Sequence, residues 1–284
     1  MQTVKIISDS TCDLSREQRE HFGVDIIPLH VILGKDTYED GVNITPKDII
    51  AWVDKTKEAP KTAAPTPEEI TGIFEEQLKQ YKEIVCFSIA AGMSSSNAAM
   101  HLAAQKLEAE DRVHVIDSAN LSGGMGLLVM EAAEMAQDGA DGQTIEAQME
   151  KQKPLVRSSF VVDTLMYLYR GGRCNGLTAI AGETLKLHPK ISVIDGAMEA
   201  GKKYRGKIAR VTMKYAQELE AELLEAQPRR VCVTHSPCNP KTVKNVGEFL
   251  QNLKYFEDVS VAPAGGVVTC HCGPETLGIF YVAK

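Results

Sequence analysis

Val4-Lys5-Ile6-Ile7, running into Ser8-Asp9-Ser10-Thr11-Cys12-Asp13 and answered after Gly23 by Val24-Asp25-Ile26-Ile27, is the stretch on which the fold turns. Two short β-branched runs enclose Ser15 to Phe22, a segment of helix formers that stops at Gly23, a residue suited to closing a helix. Strand, helix and strand in this order predict a β-α-β unit, and therefore two parallel strands. The pattern continues downstream. Thr45-Pro46-Lys47-Asp48 and Thr66-Pro67-Glu68-Glu69 each place a threonine cap before a proline at the first helical position, and Glu69 stands where a capping box needs it. Ile70, Ile73, Phe74 and Leu78 recur at helical spacing, and Ile84-Val85-Cys86-Phe87 then reads as a buried strand. A second helical pattern through Ala98, Leu102 and Leu107 leads to Val113-His114-Val115-Ile116. Continuous apolar runs of this kind mark parallel strands covered on both faces, with ligands beyond their C-terminal ends.

From about Leu155 the texture changes. Val156 to Val162, Lys190 to Ile194, Arg230 to Thr234, Val259 to Ala262 and Leu277 to Val282 are strand candidates, Asp195-Gly196 is a hairpin signal, and Arg205 to Gln227 reads as one long helix. The expected fold is α/β in two domains. An N-terminal parallel-sheet α/β/α domain would span 1–155 and a C-terminal α+β domain with a mainly antiparallel sheet 156–284. A length of 284 residues accommodates two ordinary domains.

The formal net charge of -7, with no basic run, argues against nucleic acid as the main partner, and an anionic ligand would need a local positive site. Met1-Gln2-Thr3 leads directly into a strand-like run and no apolar stretch approaches a membrane span, so a cytoplasmic protein is expected. Seven cysteines, at Cys12, Cys86, Cys174, Cys232, Cys238, Cys270 and Cys272, form no disulfide framework and are expected to be reduced.

Thr269-Cys270-His271-Cys272-Gly273-Pro274 puts an imidazole between two thiols near the C-terminus. In an extended segment both thiols would point away from His271, and no second Cys/His pair has zinc-like spacing, so no metal is expected. Remote partners for His271 are the hydroxyls of Thr62 and Ser94-Ser95-Ser96 and the turn Gly171-Gly172-Arg173. Neutral hydroxyls, a histidine and an arginine suit a carboxylate or a phosphate. Polar residues also follow the strands at Ser8-Asp9-Ser10, at Ser88 and at Asp117-Ser118 before Gly123-Gly124-Met125-Gly126, where they serve equally as helix caps or as anion donors.

Taken in order, Ser8-Asp9-Ser10-Thr11-Cys12-Asp13-Leu14, Ile27-Pro28-Leu29, Val115-Ile116-Asp117-Ser118, Tyr167-Leu168-Tyr169-Arg170-Gly171-Gly172-Arg173, His271-Cys272-Gly273-Pro274 and Leu277-Gly278 resemble the DegV family nearly end to end. These are bacterial fatty-acid-binding proteins that act as the lipid-carrying subunit of fatty acid kinase. The resemblance implies a long-chain fatty acid such as palmitate, stearate or oleate as ligand, no other cofactor and no autonomous catalysis. It also implies an ATP-dependent kinase subunit as partner, with room for a transient contact with a membrane surface. It places the carboxylate on Thr62, Ser94 and His271, with the Ser95 backbone amide as a further donor. Arg173 matches a family Gly-Gly-Arg, and it and Arg205, in the basic Lys202-Lys203-Tyr204-Arg205-Gly206-Lys207, would meet the partner or the acyl phosphate. Two segments depart from the family. Thr62 is followed by Ala63-Ala64 instead of Ser-Gln, and Ser-Gly-Thr-Tyr becomes Ser94-Ser95-Ser96-Asn97.

The apolar tunnel is expected among Met93, Met100, Leu102, Met125, Leu127, Leu128 and Met130, positions that equally suit ordinary core. Two other readings use the same residues. Ser94, His271 and an acid such as Asp117 would make a hydrolytic triad, although no Gly-X-Ser-X-Gly elbow surrounds Ser94. A site for a small phosphometabolite would use the anion donors without a long tunnel.

Overall fold

The computed structural model of the chain describes residues 3–173 and 187–284; Met1, Gln2 and Cys174 lie outside these residues. The first strand, β1 (Val4–Asp9), passes through a 3-10 turn at Ser10–Cys12 into α1 (Arg16–Phe22) and returns as β2 (Asp25–Ile27), parallel to β1. Ser15 and Gln18 form a complete capping box on α1, and Gly23 closes the helix in the left-handed conformation. A small excursion follows: β3 (His30–Leu33), β4 (Asp36–Glu39), α2 (Pro46–Thr56) and β5 (Lys61–Ala63). Thr45 and Thr66 cap α2 and α3 (Pro67–Leu78), each with a proline in the first turn and a full capping box. The parallel layer resumes with β6 (Glu83–Ser88), α4 (Ser96–Lys106), β7 (Val113–Asp117), α5 (Ser122–Gln137) and α6 (Gly142–Gln152).

The second half contains β8 (Val156–Val161), α7 (Met166–Arg170), β9 (Leu187–Ile194), β10 (Ala197–Arg205), α8 (Ile208–Glu218), α9 (Glu220–Glu225), β11 (Ala226–His235), α10 (Pro240–Asn252), β12 (Asp258–Pro263), α11 (Gly266–Cys272) and β13 (Leu277–Ala283). The described residues form three sheets: a parallel one in the order β2-β1-β6-β7, a three-stranded antiparallel one in the order β4-β3-β5, and a six-stranded one in the order β10-β9-β8-β13-β11-β12. The last is antiparallel except where β11 and β12 run together. The fold is therefore α/β, parallel in its N-terminal part and mainly antiparallel in its C-terminal part.

Three local expectations need correction. The sheet of β3, β4 and β5 has no counterpart in the sequence reading, because strands of three or four residues are too short to establish a period. Arg205 to Gln227 is not one helix. Arg205 ends edge strand β10, whose mostly exposed residues carry no alternating apolar signal, and the helical part breaks at Leu219 into α8 and α9. Thr269 to Cys272 is helical instead of extended, the last turn of α11.

Two of the sheets meet across α5. Its residues from Ser122 to Met130 are all buried, and it contacts β1 and β6 of the parallel sheet as well as β8, β11 and β13 of the six-stranded sheet. A helix apolar all round belongs inside a core. Met125, Leu127, Leu128 and Met130 accordingly share one cluster with Ile6 and Phe87 from the first half and Phe160, Ile191 and Phe280 from the second. A polar tie accompanies the apolar one, with the Ser158 hydroxyl donating to Asn120 Oδ1 just ahead of α5.

At Gly124 a Cβ would lie 2.2 Å from Ser158 Oγ and 2.4 Å from Asn120 Oδ1. Gly124→Ala is expected to destabilise the chain by about 1 to 3 kcal/mol through overpacking at this seam. Gly72, inside α3 with nothing within 4 Å of its would-be Cβ, provides the contrast. Gly72→Ala should stabilise by about 0.5 to 1 kcal/mol through helix propensity. Urea denaturation of the two variants checks both signs.

Candidate functional site

α11 carries His271 into the first half of the molecule. The apolar residues Val267 and Cys270 of this helix pack with Leu29, Val31, Leu33, Ile44 and Ile49, in the cluster beneath the three-stranded sheet. Cys272, two residues on, joins instead the cluster around α5. Helical geometry separates the two thiols by about 200° at 3.6 residues per turn, so they anchor α11 in two cores. Burial pushes both thiols up, Cys272 to about 12. The six cysteines among the described residues are free, and no group of three or more His, Cys, Asp or Glu arranged for a metal occurs among those residues.

On this helix His271 meets Thr62, the central residue of β5, with Nε2 2.8 Å from Thr62 Oγ1. The two residues lie 209 positions apart in sequence. The other ring nitrogen, Nδ1, is buried, has no hydrogen-bond partner among the described residues and faces Gly171, where a Cβ would lie only 2.3 Å away. Any side chain at 171 would displace the ring. Burial, reinforced by the charge of Arg173, lowers the His271 pKa from 6.5 to about 4, so the ring is neutral at pH 7. A bare lone pair at the sealed Nδ1 costs less than an N–H without an acceptor, which assigns the proton to Nε2. Nε2–H then donates to Thr62 Oγ1, and the Thr62 hydroxyl hydrogen is left to point at an incoming acceptor.

Arg173 extends the arrangement. Its Nε and Nη2 both donate to the Met93 carbonyl at 3.2 Å, and Nη1 donates to the Gly171 carbonyl at 2.8 Å. One guanidinium thus ties the turn that covers His271 to the loop that carries Ser94. The Ser94 hydroxyl lies 2.9 Å from Ser96 Oγ and accepts the Ser96 amide at 3.2 Å, so it braces the start of α4. Ser95 is exposed on that same turn. Thr62, His271, Arg173 and the Ser94 loop are linked in one chain of contacts, whereas Arg205 is exposed at the end of β10. There it lines a groove with Lys202, Lys207, Arg210 and Lys214.

Other residues singled out in the sequence go elsewhere. Asp117 Oδ1 accepts the Ala91 and Ala119 amides, at 3.2 and 2.8 Å, and so works as a loop cap; among the described residues no carboxylate meets Nδ1 of His271 to orient it as a triad requires. Leu102 is 53 % exposed and lines no interior, whereas Met93, Met125, Leu127, Leu128 and Met130 belong to the cluster around α5. The Met93 carbonyl was invisible to sequence reading because a backbone acceptor leaves no residue signature. Asp40, which caps α11, follows Glu39 at the end of a short strand and offers no pattern to find.

The DegV family model, described as an uncharacterised protein family, matches residues 3–284. A DegV family protein from Thermus thermophilus, whose structure concerns fatty acid binding, is 28 % identical, with each chain covered to 99 % and a TM-score of 0.90. A stearic-acid-binding protein from Eubacterium ventriosum is 27 % identical over 99 % of this chain and 98 % of that one, with a TM-score of 0.85. The Streptococcus pneumoniae fatty acid kinase B3 protein, loaded with linoleic acid, shares the fold at a TM-score of 0.84 and 21 % identity, over 99 % of this chain and 100 % of that one. No helix among the described residues is long and apolar enough to cross a membrane.

The depressed His271 pKa has a signature in stability. Between about pH 4 and 6.5 the unfolded chain holds a proton on this residue that the folded chain refuses, so this residue makes folding more favourable as pH rises through that window. Asp13, pushed up to about 8 from 3.8 by burial, acts in the opposite sense between those values. His271→Asn leaves the Asp13 contribution in place. The stability difference, wild type minus His271→Asn, is therefore expected to increase from pH 4 to 6.5 and level off above it. Denaturant titrations across pH 4 to 8 test this, and a pH-independent difference contradicts the buried neutral ring.

Proposed function

The chain belongs to the DegV family, and from that premise we propose that it binds a long-chain fatty acid and presents the carboxylate to a separate ATP-dependent kinase subunit. The observation that carries the reading is the Thr62–His271 pair, a neutral donor relay half-buried beside Arg173. A carboxylate accepts from the Thr62 hydroxyl, and the Ser94 loop, held through Met93 by Arg173, supplies further donors from its hydroxyl and from the Ser95 amide. The tail lies among the apolar side chains of the N-terminal half, residues 1–155, and the head group faces residues 156–284.

Affinity and orientation are divided between tail and head. A C16 chain carries about 15 apolar carbons, and at ~0.8 kcal/mol per buried CH2 the tail contributes up to roughly 12 kcal/mol before the costs of association. Each hydrogen bond to the carboxylate adds about 1.5 to 3 kcal/mol against its lost hydration. In the partner's active site a carboxylate oxygen attacks the γ-phosphorus of ATP, and ADP departs. The added phosphate increases the negative charge at the head group, where Arg173 is the adjacent cation. Exposed Arg205 and its basic groove suit docking of the kinase subunit.

Two tests follow. Thr62→Ala with Ser94→Ala should lower palmitate affinity about tenfold or more, the loss of one to two charge-assisted hydrogen bonds, in a chain that still folds. Mass spectrometry of lipid extracted from the purified protein, with calorimetric titration, measures it. Equal affinity in the double variant removes these hydroxyls from the head group. Arg173→Ala is expected to keep fatty-acid occupancy within about threefold of wild type while acyl phosphate formation with kinase and ATP falls by more than about tenfold. Normal turnover would leave Arg173 as a loop brace alone.

A further inference from the structure

Asp13 and Asp40 form a buried cluster that the head-group chemistry leaves unused. The Gly265 amide donates to Asp13 Oδ1 at 2.7 Å, the Gly266 amide to Asp40 Oδ1 at 2.6 Å and the Val267 amide to Asp40 Oδ2 at 3.2 Å. These are the leading amides of α11, which have no acceptor within the helix itself. Both carboxylates come from the first forty residues, so the helix that carries His271 is received by the opposite end of the chain.

The same acids hold first-half hydroxyls. Ser122 Oγ donates to Asp13 Oδ2 at 2.5 Å, and Ser10 Oγ donates to Asp40 Oδ2 at 2.9 Å while accepting the Leu29 amide at 3.2 Å. Leu29 leads into β3, where Val31 is in register with Thr62 of β5. His271, five residues beyond Gly266, and Thr62, one strand over from β3, therefore both take their position from one polar hub. The hydrogen bond between them tolerates only a few tenths of an ångström before it weakens.

We propose that Asp13 and Asp40 are positioning residues for the head-group site: they lock α11 against β3 so that Thr62 and His271 meet the ligand carboxylate, without touching the ligand themselves. The ligand half of this inference rests on the fatty-acid reading above, and the structural half on the hub geometry alone. Asp40→Asn is the direct test, because an amide NH2 replaces one oxygen and leaves either Gly266 or Val267 without its acceptor. Ser10→Ala is the gentler variant, removing the outer brace while both helix amides keep their carboxylate.

The experiment has two readouts on the full chain. Nitrogen NMR of the ligand-free protein should show His271 as a single neutral Nε2–H tautomer in wild type. In Asp40→Asn, and to a smaller degree in Ser10→Ala, it should shift toward a tautomer mixture with a pKa nearer 6.5. Binding of palmitic acid and of 1-hexadecanol should diverge: Asp40→Asn loses about tenfold for the acid and less than about twofold for the alcohol, the scale of one misplaced charge-assisted bond. Unchanged His271 nitrogens in both variants, or equal losses for acid and alcohol, overturn the positioning role. A wild type that binds acid and alcohol alike refutes the carboxylate reading instead, with the NMR shift still deciding the hub. If Asp40→Asn fails to fold, Ser10→Ala carries both readouts.

Discussion

Burial of the first half of α5, Ser122 to Met130, on all its sides is the constraint on which the remaining structure depends. A helical segment buried all round has no stable position at a surface, so the parallel sheet and the six-stranded sheet close over it together. That closure brings α11, near the end of the chain, against elements of its first 63 residues. α11 can then reach the small three-stranded sheet, and Thr62 and His271 become neighbours. Glycines at the start of α5 permit the approach, since Phe280, Ser158 and Asn120 occupy the space a Cβ would need.

The site is held together by groups buried against their charge preference, and they pull in opposite directions. His271 is kept neutral, its pKa lowered mainly by burial, and so resists acid. Asp9, Asp13 and Asp40 are raised by the same burial, Asp9 to about 6 and Asp13 to about 8, because a dry setting disfavours the ionised carboxylate. Each is compensated by donors. Asp9 accepts the Thr11 and Ile89 amides, and Asp13 and Asp40 accept the leading amides of α11. These acids join loop to loop and helix to strand, while Arg173 brings a positive charge close to His271. On a chain of net charge -7, this segregation leaves a local place for an anion.

Much of the fold was legible in particular residues. Ser15 with Gly23, and the two Thr-Pro starts, announced α1, α2 and α3, because capping chemistry is local and needs no tertiary partner. The apolar runs at 84–87 and 113–116 announced the parallel strands for a similar reason. What escaped were the elements whose stability is borrowed. β3 to β5 exist because α11 and α2 cover them, and β10 is an exposed strand held by its hairpin partner β9. The helical state of Thr269 to Cys272 was also hidden. β-Branched Val267, Val268 and Thr269 favour extension, and it is the carboxylates of Asp13 and Asp40 that satisfy the helix amides.

The sequence by itself determined the α/β class, the caps and the residue types suited to an anion, because these follow from periodicity and from chemistry within a few positions. The tertiary structure alone decided which of those residues meet. It joined Thr62 to His271, drew Arg173 onto the Met93 carbonyl, sent Asp117 to cap loops and left Arg205 on an outer strand. Contacts between residues two hundred positions apart depend on how whole layers pack, and no local pattern in the chain encodes that distance.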